Sequence, residues 1–253
     1  MEISFRNKIA LVTGGGRGIG KKIIEDFLAR GCKVINLTRS LPKINKKTNK
    51  NLISIKCDLA NLLDVKKKLK ILRKRKLSPD IIINNVGGNL NITNPFSPVS
   101  KWKEVYELNF FNSIEINNFF IKKMKMKKWG RICFISSISA LEQQGTPQYC
   151  SAKAAVNAYV RSVGRFVAKD GIIITSVMPG AVFTEGGYWD IKKTKNSKLY
   201  KKYIKERMAI GRIGKVNEIS NFVIFLCSNK SSFAVGSSFL VDGGQGRAFY
   251  PNI

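Results

Sequence analysis

Short apolar runs rich in β-branched residues recur along the chain: Lys8–Thr13, Lys33–Thr38, Leu52–Lys56, Asp80–Asn84, Arg131–Ser136 and Ile172–Met178. Their continuous apolar character predicts strands of a parallel sheet that is covered on both faces. Phe239–Asp242 reads as a last strand. Between them lie helix-length segments at Ile19–Arg30, Leu62–Arg75, Lys101–Lys127 and Pro147–Lys169. Such alternation predicts an α/β fold, a doubly wound parallel sheet with helices on both faces and right-handed crossovers. No low-complexity linker or internal repeat divides the chain. Residues 1–253 therefore read as a single domain, long enough to bury a substantial core.

Composition narrows the chemistry. The chain has no histidine. This removes Ser-His-Asp triads, HExxH zinc sites and imidazole bases, and leaves Ser, Tyr, Lys, Asp, Glu or Cys for catalysis. The cysteines, Cys32, Cys57, Cys133, Cys150 and Cys227, are scattered and form no CxxC pair, so neither a disulfide framework nor a metal site is expected. No secretory segment or bilayer-length apolar run is read, and a cytoplasmic protein is expected.

Charge is the unusual quantity, with a formal net of +29. From Lys43 to Lys76 there are 13 Lys+Arg against Asp58 and Asp64, and further clusters lie at Lys122–Lys128 and Lys192–Lys205. Such runs raise nucleic-acid or anionic-surface binding. Lysine dominates over arginine, and solvated surface helices explain the runs without a nucleic acid.

The first strand ends in Thr13-Gly14-Gly15-Gly16-Arg17-Gly18-Ile19-Gly20 and opens a helix. Glycines let the backbone turn and approach a pyrophosphate, and a helix N-terminus supplies N–H donors and partial positive charge. This strand–turn–helix context points to a dinucleotide. The TGxxxGxG spacing, with Asn84-Asn85-Val86-Gly87, Asn109, Ser137, Tyr149-Cys150-Ser151-Ala152-Lys153, Pro179-Gly180 and Val241-Asp242-Gly243-Gly244, resembles the short-chain dehydrogenase/reductase family, in family order over nearly the whole chain. The resemblance implies a Rossmann-type single domain, a hydride-transferring oxidoreductase and a homotetramer through Lys101–Lys127 and Pro147–Lys169. Val86 departs from the alanine usual in the family's Asn-Asn-Ala-Gly motif.

The resemblance implies cofactor contacts from Gly14, Gly16, Arg17, Gly18, Ile19, Gly20, Asp58, Leu59, Asn85, Gly87, Tyr149, Lys153, Pro179, Gly180, Val182 and Thr184. An acid ending the second strand would bind a ribose 2′-OH. Here that strand ends without a carboxylate, and Arg39 follows it. Arg39, with Arg17 in the glycine loop, suits a 2′-phosphate, so NADP(H) is expected over NAD(H). Asp58 matches the family's adenine-contacting acid, and as an aspartate before a helix it also fits an N-cap.

Tyr149 and Lys153 are four apart near a predicted helix start, so their side chains share a face. A phenol pKa of about 10 is too high for a base at neutral pH, and a nearby ammonium is expected to lower it. The resemblance implies that Tyr149 exchanges a proton with the substrate oxygen, Ser137 holds that oxygen, Lys153 bonds the nicotinamide ribose and Asn109 supports a relay water. Ser136 is an alternative to Ser137.

The substrate end reads less clearly. Residues 185–208 are expected to form a loop and short helix over the pocket, with Tyr188, Trp189 and lysines available. Asn89, Asn91 and Thr93 mildly favour a hydroxyl-bearing substrate. A 3-oxoacyl-carrier-protein reductase is one expectation, with Lys128 as a docking cation for an acidic carrier. Asp170, where such reductases often carry a base, favours the rival, a sugar or sugar-nucleotide oxidoreductase. A third reading is a non-catalytic protein that senses NADP(H) or touches nucleic acid.

Overall fold

The computed structural model describes residues 3–42, 44 and 49–247. Lys43, Lys46 and Lys47 of the first basic cluster, and the outermost residues of the expected 1–253 domain, lie outside them. The elements run β1 (Ile9–Thr13), α1 (Gly18–Ala29), β2 (Lys33–Thr38), β3 (Leu52–Lys56), α2 (Leu62–Lys74), β4 (Ile81–Asn84), α3 (Val99–Tyr106), α4 (Asn112–Met126), β5 (Gly130–Ile135), α5 (Pro147–Val167), β6 (Ile172–Pro179), β7 (Val182–Phe183), α6 (Tyr188–Lys195), α7 (Ser197–Arg207), β8 (Gly214–Lys215), α8 (Val216–Leu226) and β9 (Ser238–Val241).

Seven parallel strands form one sheet in the order β3-β2-β1-β4-β5-β6-β9, and β7 pairs with β8 in a separate parallel pair. Successive side chains of a strand point to opposite faces, so a strand buried on both faces must be apolar throughout. Ile82 of β4 packs with Leu69 of α2, Phe120 of α4 and Val156 of α5 in one core layer. Its neighbours Ile81 and Ile83 join Ile24 of α1 and Val223 of α8 in the other. The doubly wound architecture predicted from the apolar runs is therefore the observed one.

Three features differ from the sequence reading. The expected helix Lys101–Lys127 is interrupted at Glu107–Phe111 by a π-helical stretch. The region 185–208 holds two helices, α6 and α7. Helix α8 lies in a region where no element was expected, though its apolar face (Ile219, Val223, Ile224) packs fully against the sheet. Among the described residues no helix is long and apolar enough to cross a membrane. All five cysteines are free thiols.

The strand order reverses between β1 and β4, where a crevice opens at the carboxyl ends of both. Thr13, fully buried, closes its floor. Its hydroxyl accepts from the Asn85 and Val86 amides (2.9 and 3.1 Å) and donates to the Ile83 carbonyl (3.3 Å). Thr13→Val keeps the shape but orphans two part-buried amides, and should cost about 1–3 kcal/mol in urea unfolding. A loss below about 0.5 kcal/mol would show that this hydroxyl does not tie the two strand ends together.

Candidate active site

The turn after β1 is held from both sides. Gly14 adopts φ +69°, and the Asn85 amide group donates to the carbonyls of Thr13 (2.8 Å) and Gly14 (3.2 Å). The Asn36 side-chain oxygen accepts from the Gly15 amide at 3.1 Å. Helix α1 then starts with no side-chain cap and no acid in its first turn. Its first amides are left without a side-chain acceptor at the mouth of a cleft, an arrangement suited to a diphosphate.

That cleft, about 290 Å³, is lined by Gly14, Gly16, Arg17, Gly18, Ile19, Gly20, Arg39, Asp58, Leu59, Asn85, Gly87 and Thr184 of the expected set. A second cleft of about 260 Å³ shares Ile19, Asn85 and Gly87 with it and adds Ser137, Tyr149, Lys153, Pro179, Gly180 and Val182. Two adjoining clefts with a glycine cradle and basic side chains at one end fit an elongated, phosphate-bearing cofactor. Thr38, Ser40, Val86 and Leu108 also line the first cleft, and Ile135, Ser136 and Trp189 the second; none of these was a candidate cofactor contact. Ser40 was findable, because it follows Arg39 at the same strand end.

Some expected residues are placed differently from their sequence reading. The Arg17 guanidinium points to the Gly186 carbonyl (3.4 Å), at the start of the lid. Asp58 is not the cap of α2: Asn61 is, accepting from the Leu63 and Asp64 amides, while Asp58 accepts from the Ala60 amide. Asn89, Asn91 and Thr93 lie outside both clefts.

Helix α5 begins with Pro147, which is favourable at a first helical position. It carries Tyr149 and, one turn on, Lys153. Lys153 is 2% exposed, and its Nζ donates to the Ile135 carbonyl of β5 at 2.9 Å. The backbone of Gly87 passes so close that a Cβ there would stand 2.9 Å from this Nζ and 2.7 Å from Asn109 Oδ1. Asn109 sits in the π-helical stretch, not in a regular helix. Its side chain accepts from the Gly88 amide (3.1 Å) and donates to the Gly88 and Val105 carbonyls (both 2.8 Å). The extra residue of a π turn re-aims a side chain, and here it aims Asn109 at the loop under Lys153.

The two serines separate clearly. The Ser136 hydroxyl is buried and donates to the Lys153 carbonyl at 3.3 Å. Ser137 faces Tyr149 across the same cleft, closely enough to pull the phenol pKa down, and its hydroxyl accepts from the Ser139 amide at 3.0 Å. The expectation that Lys153 lowers the Tyr149 pKa is not met: the phenol is raised, and the lysine is not among the causes. Desolvation in the cleft raises that phenol above its ordinary value, the nearby Ser137 hydroxyl pulls it partly back, and Cys150 adds to the rise. Burial pushes Lys153 itself down to about 8.

A buried lysine whose pKa falls from 10.5 to about 8 penalises the fold fully below pH 8, where folded and unfolded states both hold the proton. The penalty is relieved between pH 8 and 10.5, as only the folded state releases it. Lys153→Met should therefore be more stable than the parent at pH 7, by about 1–3 kcal/mol after the orphaned Ile135 carbonyl is counted. That gap should narrow in denaturant unfolding as pH rises from 8 to 10; a constant gap would contradict the shifted pKa.

Residues 8–193 match the family model described as short chain dehydrogenase. The 3-oxoacyl-[acyl-carrier-protein] reductase of Buchnera aphidicola subsp. Schizaphis graminum is 31% identical over 96% of this chain and 99% of its own. L-sorbose reductase from Gluconobacter frateurii, solved with NADPH and L-sorbose, superposes with a TM-score of 0.85 at 26% identity, covering 97% of this chain and 98% of that one. A 4-hydroxyisoleucine dehydrogenase solved with NADH gives 0.80 at 26% identity, covering 94% and 98%. The chain belongs to the short-chain dehydrogenase family and is a nicotinamide-dependent oxidoreductase of carbonyl and alcohol groups.

Proposed function

We propose that the protein is an NADP(H)-dependent ketoreductase that reduces a 3-oxoacyl group borne on a carrier protein to the 3-hydroxyacyl group. The observation that carries the catalytic reading is the meeting of Ser137, Tyr149 and Lys153 in a cleft continuous with the glycine cradle. The nicotinamide supplies the hydride when bound. Ser137 donates to the substrate oxygen and stabilises the charge that develops there. Tyr149, kept protonated by its raised pKa, is poised as the acid that delivers a proton to that oxygen. Lys153 is the group we assign to the nicotinamide ribose. Asn109 orders the Gly87–Gly88 backbone beneath it, where a relay water would be supported.

Pro179, Gly180, Val182 and Thr184 are assigned to the nicotinamide end, and the first cleft to the diphosphate and adenosine. Arg39 and Ser40 stand where a 2′-phosphate would be read, with no carboxylate lining that edge except Asp58, which we place at the adenine. A homotetramer is the assembly we propose, since Phe111 beside α4 and Phe166 of α5 are exposed at 47% and 74%. Free thiols throughout suit a reducing cytoplasm.

One observation favours a second reading, a sugar or sugar-nucleotide reductase. Lys128, the expected docking cation, is paired with Asp170 (3.4 Å), which also takes Lys125 (3.1 Å). Trp189 lines the catalytic cleft, an aromatic of the kind that packs against a pyranose.

A panel of 3-oxoacyl thioesters, keto sugars and sugar nucleotides, each with NADPH and NADH, tests both. Fastest turnover of the thioesters with NADPH supports the first reading; turnover confined to sugars replaces it with the second. Tyr149→Phe should lower kcat about 10²–10⁴-fold while NADPH binding persists, and near-parental turnover would refute the acid role. Arg39→Asp should move the NADPH:NADH preference about tenfold or more toward NADH; an unchanged ratio would refute the phosphate assignment.

A further inference from the structure

Beyond β9 the chain turns through Asp242–Gly246, with the Asp242 carboxylate accepting from the Gly244 (3.0 Å) and Gly246 (2.6 Å) amides. The turn delivers Gln245, 3% exposed, to a point where three parts of the substrate end meet. Its Oε1 accepts from the Ala181 amide at 2.6 Å. Its Nε2 donates to the Tyr203 hydroxyl of α7 at 2.8 Å and reaches Gln144 Oε1 at 3.5 Å.

Each partner leads directly to the cleft. Ala181 lies between Gly180 and Val182 on the wall of the catalytic cleft. Gln144 belongs to the loop that runs into α5 and Tyr149. The Tyr203 ring stacks 4.3 Å from Trp189, which lines that cleft. A second strap reinforces the first: the Arg247 guanidinium donates to the Glu206 carbonyl of α7 (3.0 Å), and its amide to the Glu142 carboxylate.

A primary amide suits this junction because one planar group both accepts from an N–H and donates twice. An apolar side chain of the same volume would leave the buried Ala181 amide unsatisfied and free the Tyr203 hydroxyl. The lid helices α6 and α7 contain no fully buried residue. Their aromatic contacts and these few polar ones therefore hold them over the cleft.

We propose that Gln245 is a positioning residue for the substrate site: its amide clasps lid helix α7 and the loop before Tyr149 to the turn after β6, setting the closed position of the lid. The kinetic part of this inference rests on the catalytic reading above; the clasp itself is a property of the chain.

The test uses the full chain and two variants, Gln245→Met, which keeps volume and removes the amide, and Tyr203→Phe, which removes one arm. In hydrogen–deuterium exchange, Gln245→Met should speed exchange in segments 188–207 and 140–146 by about tenfold or more, leaving α1 and the central strands unchanged. Tyr203→Phe should reproduce part of the lid effect, and the double variant should be no worse than Gln245→Met. With a substrate that the panel identifies, KM should rise about tenfold while kcat stays within about threefold. Unchanged lid exchange, acceleration spread evenly through the sheet, or a fall in kcat at constant KM would overturn the proposal. If the parent protein reduces nothing on the panel, the catalytic reading fails while the exchange measurement still decides the clasp.

Discussion

The buried amine of Lys153 is the constraint around which the site is arranged. A cation taken out of water is costly unless its donors are met, and here burial is deep enough to bring the pKa down to about 8. The Ile135 carbonyl at the end of β5 takes one donor, which fixes helix α5 against the sheet at that level. The helical repeat then places Tyr149 one turn back, over Ser137. Gly87 has no room for a side chain, because the amine and Asn109 fill the space a Cβ would need. Asn109 in turn reaches that space only because the helix there is wound as a π turn. The amine costs the fold stability, and the segments that meet around it are arranged to hold it where the chemistry needs it.

The same logic of shared groups runs through the cofactor end. Thr13 and Asn85 bind each other's backbones across the point where strand order reverses, so the glycine turn and the β4 loop form one rigid floor. Rigidity at that floor leaves the uncapped first turn of α1 open to a ligand. The +29 charge is distributed differently from the chemistry. Lys127 is held by Asp80, and Lys125 and Lys128 share Asp170, all just before the amino ends of β4, β5 and β6, the opposite edge of the sheet from the clefts. Arg39 faces the cradle, while Arg17 spans from the cradle to the lid hinge.

The lid belongs to a looser regime. Its helices are amphipathic only weakly, carry most of the third lysine cluster, and bury no residue fully. Trp189, Tyr200 and Tyr203 form an aromatic cluster with Met208 and Ile213 beneath. Polar contacts from the chain's last described turn add direction to that apolar grip. A segment that must admit substrate is expected to draw on few buried contacts.

What the sequence determined by itself was whatever depends on neighbours close in the chain. Short, continuous β-branched runs such as DIIIN pointed to strands covered on both faces, and Tyr149 and Lys153, four apart on a helix, share a face. The glycine turn was legible for the same reason, being a local conformation that begins a helix. Helix α8 is equally local in its apolar face (Ile219, Val223, Ile224), whose four-residue spacing from Ile219 to Val223 is a helical signal in the sequence. Other features required the fold. Ser137 was separated from Ser136 only when the sheet showed which hydroxyl meets Tyr149. Asn61 displaced Asp58 as a cap through geometry that spacing alone does not specify. The Tyr149 pKa rises because desolvation, set by everything packed around the phenol, outweighs the lowering effect of Ser137. Gln245 was invisible because its partners lie between 42 and 101 residues away in sequence. Burial and long-range hydrogen bonds are sums over residues distant in the chain, and only the tertiary structure carries out that sum.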